Sequence, residues 1–294
     1  MTIKEVLKIG VEELKNINIQ EPISKARLIL AFELCKNKEY LITHDEEEIE
    51  EKVFNSFFGK IQRLIDGEPL QYLTGQQEFM KLNFMVNKNV LIPRQDTEIL
   101  VEEVLNLSND FKDLKILDMC TGSGAIAISI SHYLMDRENV GGDASTPHFL
   151  SNIKIYAVDI SSKALEVAKY NNEKLNANVK FLESDLFQKV EEKFNIIVSN
   201  PPYIKTSVIE KLDEEVKNEP KLALDGGQDG LFFYRKIIEN AHNFLEKDGY
   251  LCLEIGYDQR DEVIDIINKT GKYEEVYSKK DLAGNDRIVV CKKR

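Results

Sequence analysis

The sequence predicts an α/β fold: a parallel sheet with helices on both faces, preceded by a small helical bundle. Three observations predict it. From residue 93 onward, short β-branched runs alternate with helical patterns, as in consecutive βαβ units. Before residue 74, the apolar residues recur only at helical spacing. Between these regions, residues 74–92 switch to a period of two, which reads as a β-hairpin. A chain of 294 residues exceeds the usual single domain, so three parts are expected: a helical domain over 1–73, a hairpin linker over 74–92 and an α/β domain over 93–294.

The helical part opens on Thr2-Ile3-Lys4-Glu5, a capping box, with Ile3, Val6, Leu7, Val11 and Leu14 on one face. Thr43 with Glu46 repeats that spacing. The acidic run Asp45 to Glu51 is expected to open a helix whose apolar face includes Phe54, Phe57, Ile61 and Leu64 and which ends at Gly67, because carboxylates in a first turn are favoured by the helix dipole. In the hairpin, Phe79, Leu82, Phe84, Val86, Val90 and Ile92 alternate around the turn-prone Asn87-Lys88-Asn89. Strands are then expected over 115–119, 153–158, 178–182, 195–199, 249–255, 273–278 and 286–292. The last two have no helix between them and should pair antiparallel. Residues 137–152 collect Gly, Asn, Ser and Pro without periodicity and read as an exposed loop.

Composition narrows the function classes. With 43% hydrophobic and 31% charged residues, this is a soluble globular composition. A formal charge of −12 without a basic run argues against stable nucleic-acid binding by phosphate neutralisation, and the first 75 residues carry 10 Lys/Arg against 14 Asp/Glu. The opening MTIKEVLKIGVEELK is broken by charge every few residues, so it lacks the apolar core of a signal peptide. No later segment has the length and apolarity of a membrane span. A cytoplasmic protein with no membrane partner is expected. Cys35, Cys120, Cys252 and Cys291 are widely spaced, and His44, His132, His148 and His242 form no ligand-like pair with them. Neither a metal site nor a disulfide framework is expected.

Four consecutive strands carry chemistry at their tips. The first runs into Cys120-Thr121-Gly122-Ser123-Gly124, where Gly122, Gly124 and Ala127 fit G-x-G-x-x-A, a turn that lets a ligand approach backbone N–H groups at a helix start. The second ends in Asp159, suited to hold two ribose hydroxyls. It lies 35 residues beyond Gly124, where ~20 is usual, and the 137–152 insertion accounts for the excess. The third ends near Asp185-Leu186, and the fourth runs into Asn200-Pro201-Pro202-Tyr203. The prolines cannot continue a ladder, so the chain leaves the sheet as a stiff corner with Asn200 at the rim. Singly, these features have plain explanations. A Gly-rich turn can be a tight connection, Asp185 a helix cap, Tyr203 a core residue and the prolines a strand exit. Together, at the edge where α/β sheets bind ligands, they favour an adenosine-like cofactor. Asp96 in Pro93-Arg94-Gln95-Asp96-Thr97-Glu98 is expected to cap the following helix. Gly226-Gly227-Gln228 reads as a flexible turn before a helix over 230–247.

The stretches ARLIL, EPLQYLTGQQEF, VLIPRQDTEILVE, ILDMCTGSGAIA, AVDIS, SNPPYI, ALDGGQDGL, LEIGYDQ and DLAGNDRIV span nearly the whole chain. Together they resemble the release-factor glutamine N5-methyltransferases (the HemK or PrmC type), which are class I S-adenosylmethionine-dependent methyltransferases with a seven-stranded Rossmann-like sheet. The resemblance implies S-adenosyl-L-methionine as cofactor and S-adenosyl-L-homocysteine as product. It also implies class I peptide chain release factors as the protein substrate, gripped by the helical domain, with an effect on translation termination. It puts the cofactor on Cys120, Thr121, Gly122, Ser123 and Gly124 at the turn, Asp159 at the ribose, Asp185 and Leu186 near the adenine, and Asn200 near the methionine end. Asn200, Pro201, Pro202 and Tyr203 become the catalytic set: the Asn200 oxygen and the Pro201 carbonyl accept the two hydrogens of the acceptor amide, and Tyr203 packs on its plane. Two positions depart, Gln95 where the family often has a second Pro, and Cys120 where it often has Gly.

Four other readings compete. An adenine N6-methyltransferase would share the Asn-Pro-Pro-Tyr corner but needs basic residues to hold a backbone around a flipped base. A ribosomal-protein glutamine methyltransferase is close in sequence logic. A non-catalytic module docking on the translation machinery would not need the intact corner, and a nicotinamide dehydrogenase finds no further support in the chain. Methylation of the chain's own Gln228 is not expected.

Overall fold

The structure, a computed structural model, describes residues 1–140 and 152–294. The contacts divide it into two units: Met1–Gln76 with Asp213–Asn218, and Gln77–Leu212 with Glu219–Arg294.

The first unit is helical, with helices Ile3–Asn16, Pro22–Glu33, Lys38–Thr43, Glu51–Ile65 and Leu70–Thr74 closing on Val6, Leu14, Ile29, Leu30, Phe57 and Ile61. The Thr2/Glu5 capping box forms as expected. The acidic run does not open a helix. Thr43 closes the helix Lys38–Thr43, its hydroxyl donating to Glu39 O at 3.1 Å, and the next helix begins only at Glu51. Asp45 and Glu47 instead give their carbonyls to Lys4 N and Ile3 N, both at 2.9 Å. The run therefore satisfies free N–H groups of the first helix, and its negative charge sits beside that helix's positive end. The segment Asp213–Asn218 packs here too: Lys25 Nζ meets Glu215 Oε1 at 2.6 Å, and Asn218 Nδ2 donates to Gly67 O at 2.9 Å.

The hairpin exists, but it turns elsewhere than expected. Strands β1 (Gln76–Phe79) and β2 (Leu82–Met85) are joined at Met80 and Lys81, both with positive φ. Two left-handed residues make the tight connection whose twist matches paired strands. Asn87-Lys88-Asn89 forms a later turn, with Asn87 Oδ1 accepting from Asn89 N at 2.9 Å.

The second unit is built on β3 (Asp113–Met119), β4 (Asn152–Asp159), β5 (Val179–Glu183), β6 (Phe194–Ser199), β7 (Leu245–Glu254), β8 (Tyr273–Lys280) and β9 (Asp286–Lys293). Their order is β5-β4-β3-β6-β7-β9-β8, parallel as far as β7 and antiparallel in the last two pairings. This is the expected seven-stranded α/β sheet. Neighbouring residues alternate between two cores. Ile116, Ile196 and Val198 pack on one face with helices Glu98–Leu107 and Ala125–Val140, while Leu117, Ile197 and Leu251 pack on the other with Phe232–Phe244 and Arg260–Thr270. The order reverses between β3 and β6, where a doubly wound sheet opens a crevice at its carboxyl edge. Of the predicted loop 137–152, residues 137–140 instead continue the helix Ala125–Val140 and Asn152 opens β4, while 141–151 lie outside the described residues.

Candidate active site

At that edge is a cavity of about 140 Å³, lined by residues of the second unit. The ends of four strands supply its walls: Cys120 and Gly122 after β3, Asp159 at the tip of β4, Asp185 and Leu186 after β5, and Asn200 with Pro202 after β6. Thr121, Ser123, Gly124, Pro201 and Tyr203 are not among its lining residues. Thr121 and Ser123 are buried, with Thr121 Oγ1 donating to Asp118 Oδ2 at 2.6 Å. Gly124 lies against Ile128 and Ala168. Thr121, Ser123 and Gly124 shape the turn from behind.

The turn explains its glycines. Gly122 has φ +56 and open space where a side chain would stand, so a ligand can come up to the backbone there. Asp159 is fixed by two backbone donors, Gly122 N on Oδ2 and Ser161 N on Oδ1, both at 2.9 Å. The carboxylate keeps acceptor capacity for a hydroxyl. Burial raises the Asp159 pKa, and the N–H groups of Ser161, Gly122 and Ile160 pull it back down. Among the described residues, the cavity lining includes two carboxylates, Asp159 and Asp185, but no Lys or Arg. That suits a nucleoside carrying hydroxyls and positive charge, and suits a pyrophosphate poorly.

The corner after β6 is held rigidly. Ile204 N donates to Leu224 O at 2.9 Å, Gly226 N to Ile204 O at 2.8 Å, and Gln259 Nε2 to the Tyr203 carbonyl at 3.0 Å. A Cβ on Gly226 would stand 2.7 Å from Tyr203 Cα, so Gly226-Gly227-Gln228 is a backbone buttress for the corner. The helix after it runs Phe232–Phe244. Asn200 Nδ2 donates to Thr97 Oγ1 at 3.3 Å, which leaves Asn200 Oδ1 as an acceptor at the cavity rim. Such an arrangement can bind a planar N–H donor beside a nucleoside ligand.

Comparison with known proteins shows the family. Residues 5–75 match the model of the PrmC N-terminal domain, and 110–287 match that of a methyltransferase domain. The release factor glutamine methyltransferase of Moorella thermoacetica is 39% identical over 297 residues, covering 100% of this chain and 99% of that protein. That of Clostridium acetobutylicum is 40% identical, covering 99% of this chain and 98% of its own. The chain belongs to the release factor glutamine methyltransferase family. Among solved structures, the protein-(glutamine-N5) methyltransferase (release factor-specific) of Alicyclobacillus acidocaldarius matches at 26% identity with a TM-score of 0.41, covering 72% of this chain and 99% of that one.

The two departures of this family member have local explanations. Gln95 is exposed and opens the short 3-10 turn Gln95–Thr97, a first position that proline also tolerates. Cys120 has φ +64, the left-handed region that favours glycine, so the chain accepts backbone strain here. Asp96 does not cap the helix after it, whose N-cap has no side-chain hydrogen bond. It pairs with Arg287 at 3.3 Å instead. Arg94 pairs with the buried Glu219, whose Oε2 also accepts from Ile92 N at 2.8 Å. Sequence reading missed Asp118 and Glu254, the buried carboxyls next to the turn and the corner. Burial pushes each up to about 7, with the Thr121 hydroxyl opposing the rise for Asp118 and the Thr97 hydroxyl for Glu254. A signal existed in the second case: an acid inside the apolar run Tyr250–Ile255.

Proposed function

We propose that this enzyme transfers a methyl group from S-adenosyl-L-methionine to N5 of the glutamine in the Gly-Gly-Gln loop of class I peptide chain release factors. The observation that carries this reading is the meeting of Asn200 with Gly122 and Asp159 on one cavity, in a chain related over its full length to enzymes named for that reaction. When bound, the cofactor supplies an electrophilic methyl on a sulfonium. Gly122 and Asp159 would hold its ribose end, with Asp185 and Leu186 beside the adenine.

The residues of the chain have one main task. A carboxamide nitrogen is a weak nucleophile, because its lone pair is delocalised, and it is too weak an acid for a side chain to deprotonate. The corner must therefore orient it. Asn200 Oδ1 accepts one amide hydrogen and the Pro201 carbonyl the other, aiming the nitrogen at the methyl. Because prolines and Gln259 hold the corner, little reorganisation accompanies the charge that builds on nitrogen. Tyr203 backs the corner, and the proton leaves after transfer. The helical unit, which matches the PrmC N-terminal domain, is the part that grips the release factor, and the reaction takes place in the cytoplasm without a metal.

The test is transfer of radiolabelled methyl to a purified release factor, beside a version with Gln→Ala in its Gly-Gly-Gln loop. Label on the first and none on the second is expected. Label on neither, with cofactor binding demonstrated, would count against the assigned acceptor.

A further inference from the structure

Glu254 ends β7, a strand that is otherwise apolar over its last turns, and it is 1% exposed. Its Oε2 has no hydrogen-bond partner among the described residues. Its Oε1 takes the Tyr203 hydroxyl at 3.4 Å, and the Thr97 hydroxyl faces the same carboxyl and favours its charged form. Thr97 Oγ1 in turn accepts from Asn200 Nδ2 at 3.3 Å. A hydroxyl oxygen offers a lone pair to a donor only when its own hydrogen points elsewhere, and an amide side chain presents one acceptor and one donor end. A carboxylate behind Thr97 draws that hydrogen inward. The Asn200 NH2 must then face Thr97, and its oxygen must face the cavity. Tyr203 leads back to the same group, so two members of the acceptor corner share one buried acid.

Nothing in the packing of the sheet asks for such a group. A carboxyl in an apolar strand costs free energy unless paired, and the groups facing this one are already engaged. Arg287 on β9 is held by Asp281 at 2.8 Å and by Asp96 at 3.3 Å, and the Tyr234 hydroxyl donates to the backbone carbonyl of Glu254 at 3.0 Å. We propose that Glu254 is a positioning residue for methyl transfer. Through Thr97 it fixes which end of the Asn200 amide meets the acceptor glutamine, and through Tyr203 it fixes the wall of the corner. This rests on the function proposed above. It adds that the corner works only while its orienting acid is intact. Burial pushes that acid up to about 7, with Thr97, Arg287 and Tyr203 opposing the rise and Asp96 adding to it.

The experiment uses the full chain with S-adenosylmethionine and a release factor. It compares wild type with Glu254→Gln, Thr97→Val and Thr97→Ser for kcat against pH, KM for the release factor and Kd for the cofactor. Glu254→Gln keeps shape and removes charge, so kcat at pH 8 should fall about 10- to 100-fold, as for other groups that orient a directly acting one. Cofactor Kd should stay near that of wild type. The acceptor amide does not titrate in this range, so an acidic limb in wild-type kcat near neutral pH belongs to the enzyme. It should vanish in Glu254→Gln. Thr97→Val should reproduce the loss and Thr97→Ser recover it, which a packing role would not produce. Wild-type kcat and an unchanged pH profile in Glu254→Gln would overturn the proposal. If Glu254→Gln does not fold, equal activity of Thr97→Val and Thr97→Ser would overturn it equally well. Failure of the wild type to label any release factor would be a different result, striking the functional reading and this one with it.

Discussion

At the scale of single residues, two glycines two positions apart should fail differently when given the same methyl group. Gly122 has φ +56 and nothing within 4 Å of a new Cβ, so Gly122→Ala meets only backbone strain inside the protein. The space it would fill is the approach to the cavity. Gly124 has φ +81, and its Cβ would come within 2.8 Å of Ile128 Cδ1 and 3.2 Å of Ala168 Cβ. Gly124→Ala should therefore lower unfolding stability by about 2 kcal/mol or more, strain and overpacking together. Gly122→Ala should cost about 1 kcal/mol but weaken S-adenosylmethionine binding more than Gly124→Ala does per unit of stability lost. Chemical denaturation and calorimetric titration of both variants check this, and equal ratios would refute the division. The G-x-G-x-x-A spacing was legible in sequence, whereas the distinct duties of its glycines depend on Ala168, on another helix. Gly226→Ala is a third case. Its Cβ would meet backbone atoms of Tyr203 at 2.7 and 2.8 Å, so methyl transfer should drop with cofactor Kd largely kept, although the residue is not among those lining the cavity.

At the scale of elements, β7 carries a cost that the sequence shows as one acid among apolar residues. Glu254 is pushed up to about 7 from the usual carboxylate value of about 4. A raised carboxyl contributes stability that is fully present below about pH 4 and is lost as pH rises through about 7. Glu254→Gln removes this loss. Its stability relative to wild type should grow between about pH 4 and 7 and then level off, reaching a few kcal/mol at most. Thermal or denaturant unfolding across that range would show it, and a constant difference would exclude ionisation of Glu254 as the cause. Higher stability with lower turnover is the pattern of a group kept for function. Other elements were misread for a different reason. The acidic run 45–51 has the composition of a first helical turn, but its carbonyls serve the helix Ile3–Asn16, over 40 positions earlier in the chain. Local pattern cannot show which helix end a charge belongs to. The hairpin likewise turned at Met80 and Lys81, residues with no turn preference that are held left-handed there, while Asn87-Lys88-Asn89 has the right composition but follows β2.

At the scale of the whole molecule, the seven strands, their alternation with helices and the antiparallel end were legible because each strand is a short β-branched run bounded by polar breaks. The allocation of Asp213–Asn218 to the helical unit was not, since nothing in those residues sets them apart from their neighbours. The consequence can be tested. Along the chain the segment falls between the Asn200–Tyr203 corner and Pro220, Leu222 and Ala223, which line the cavity. It is tied down by Lys25 on Glu215 and by Asn218 on Gly67, and the Lys25 side chain is only 19% exposed. Lys25→Glu would set two carboxylates against each other, a half-buried like-charge contact in place of an ion pair. Proteolysis within 205–225 should then speed up, and transfer to the release factor should fall about tenfold, the effect of a misplacement far from the chemistry. The double exchange Lys25→Glu with Glu215→Lys should restore both. Unchanged cleavage in Lys25→Glu would mean that the segment is ordered by its ends alone, and unchanged transfer despite faster cleavage would mean that the corner does not depend on it. Removing residues 1–76 outright is a blunter test with a mixed expectation, loss of release-factor methylation together with weaker cofactor binding, because the same cut strips Asp213–Asn218 of the surface it packs on.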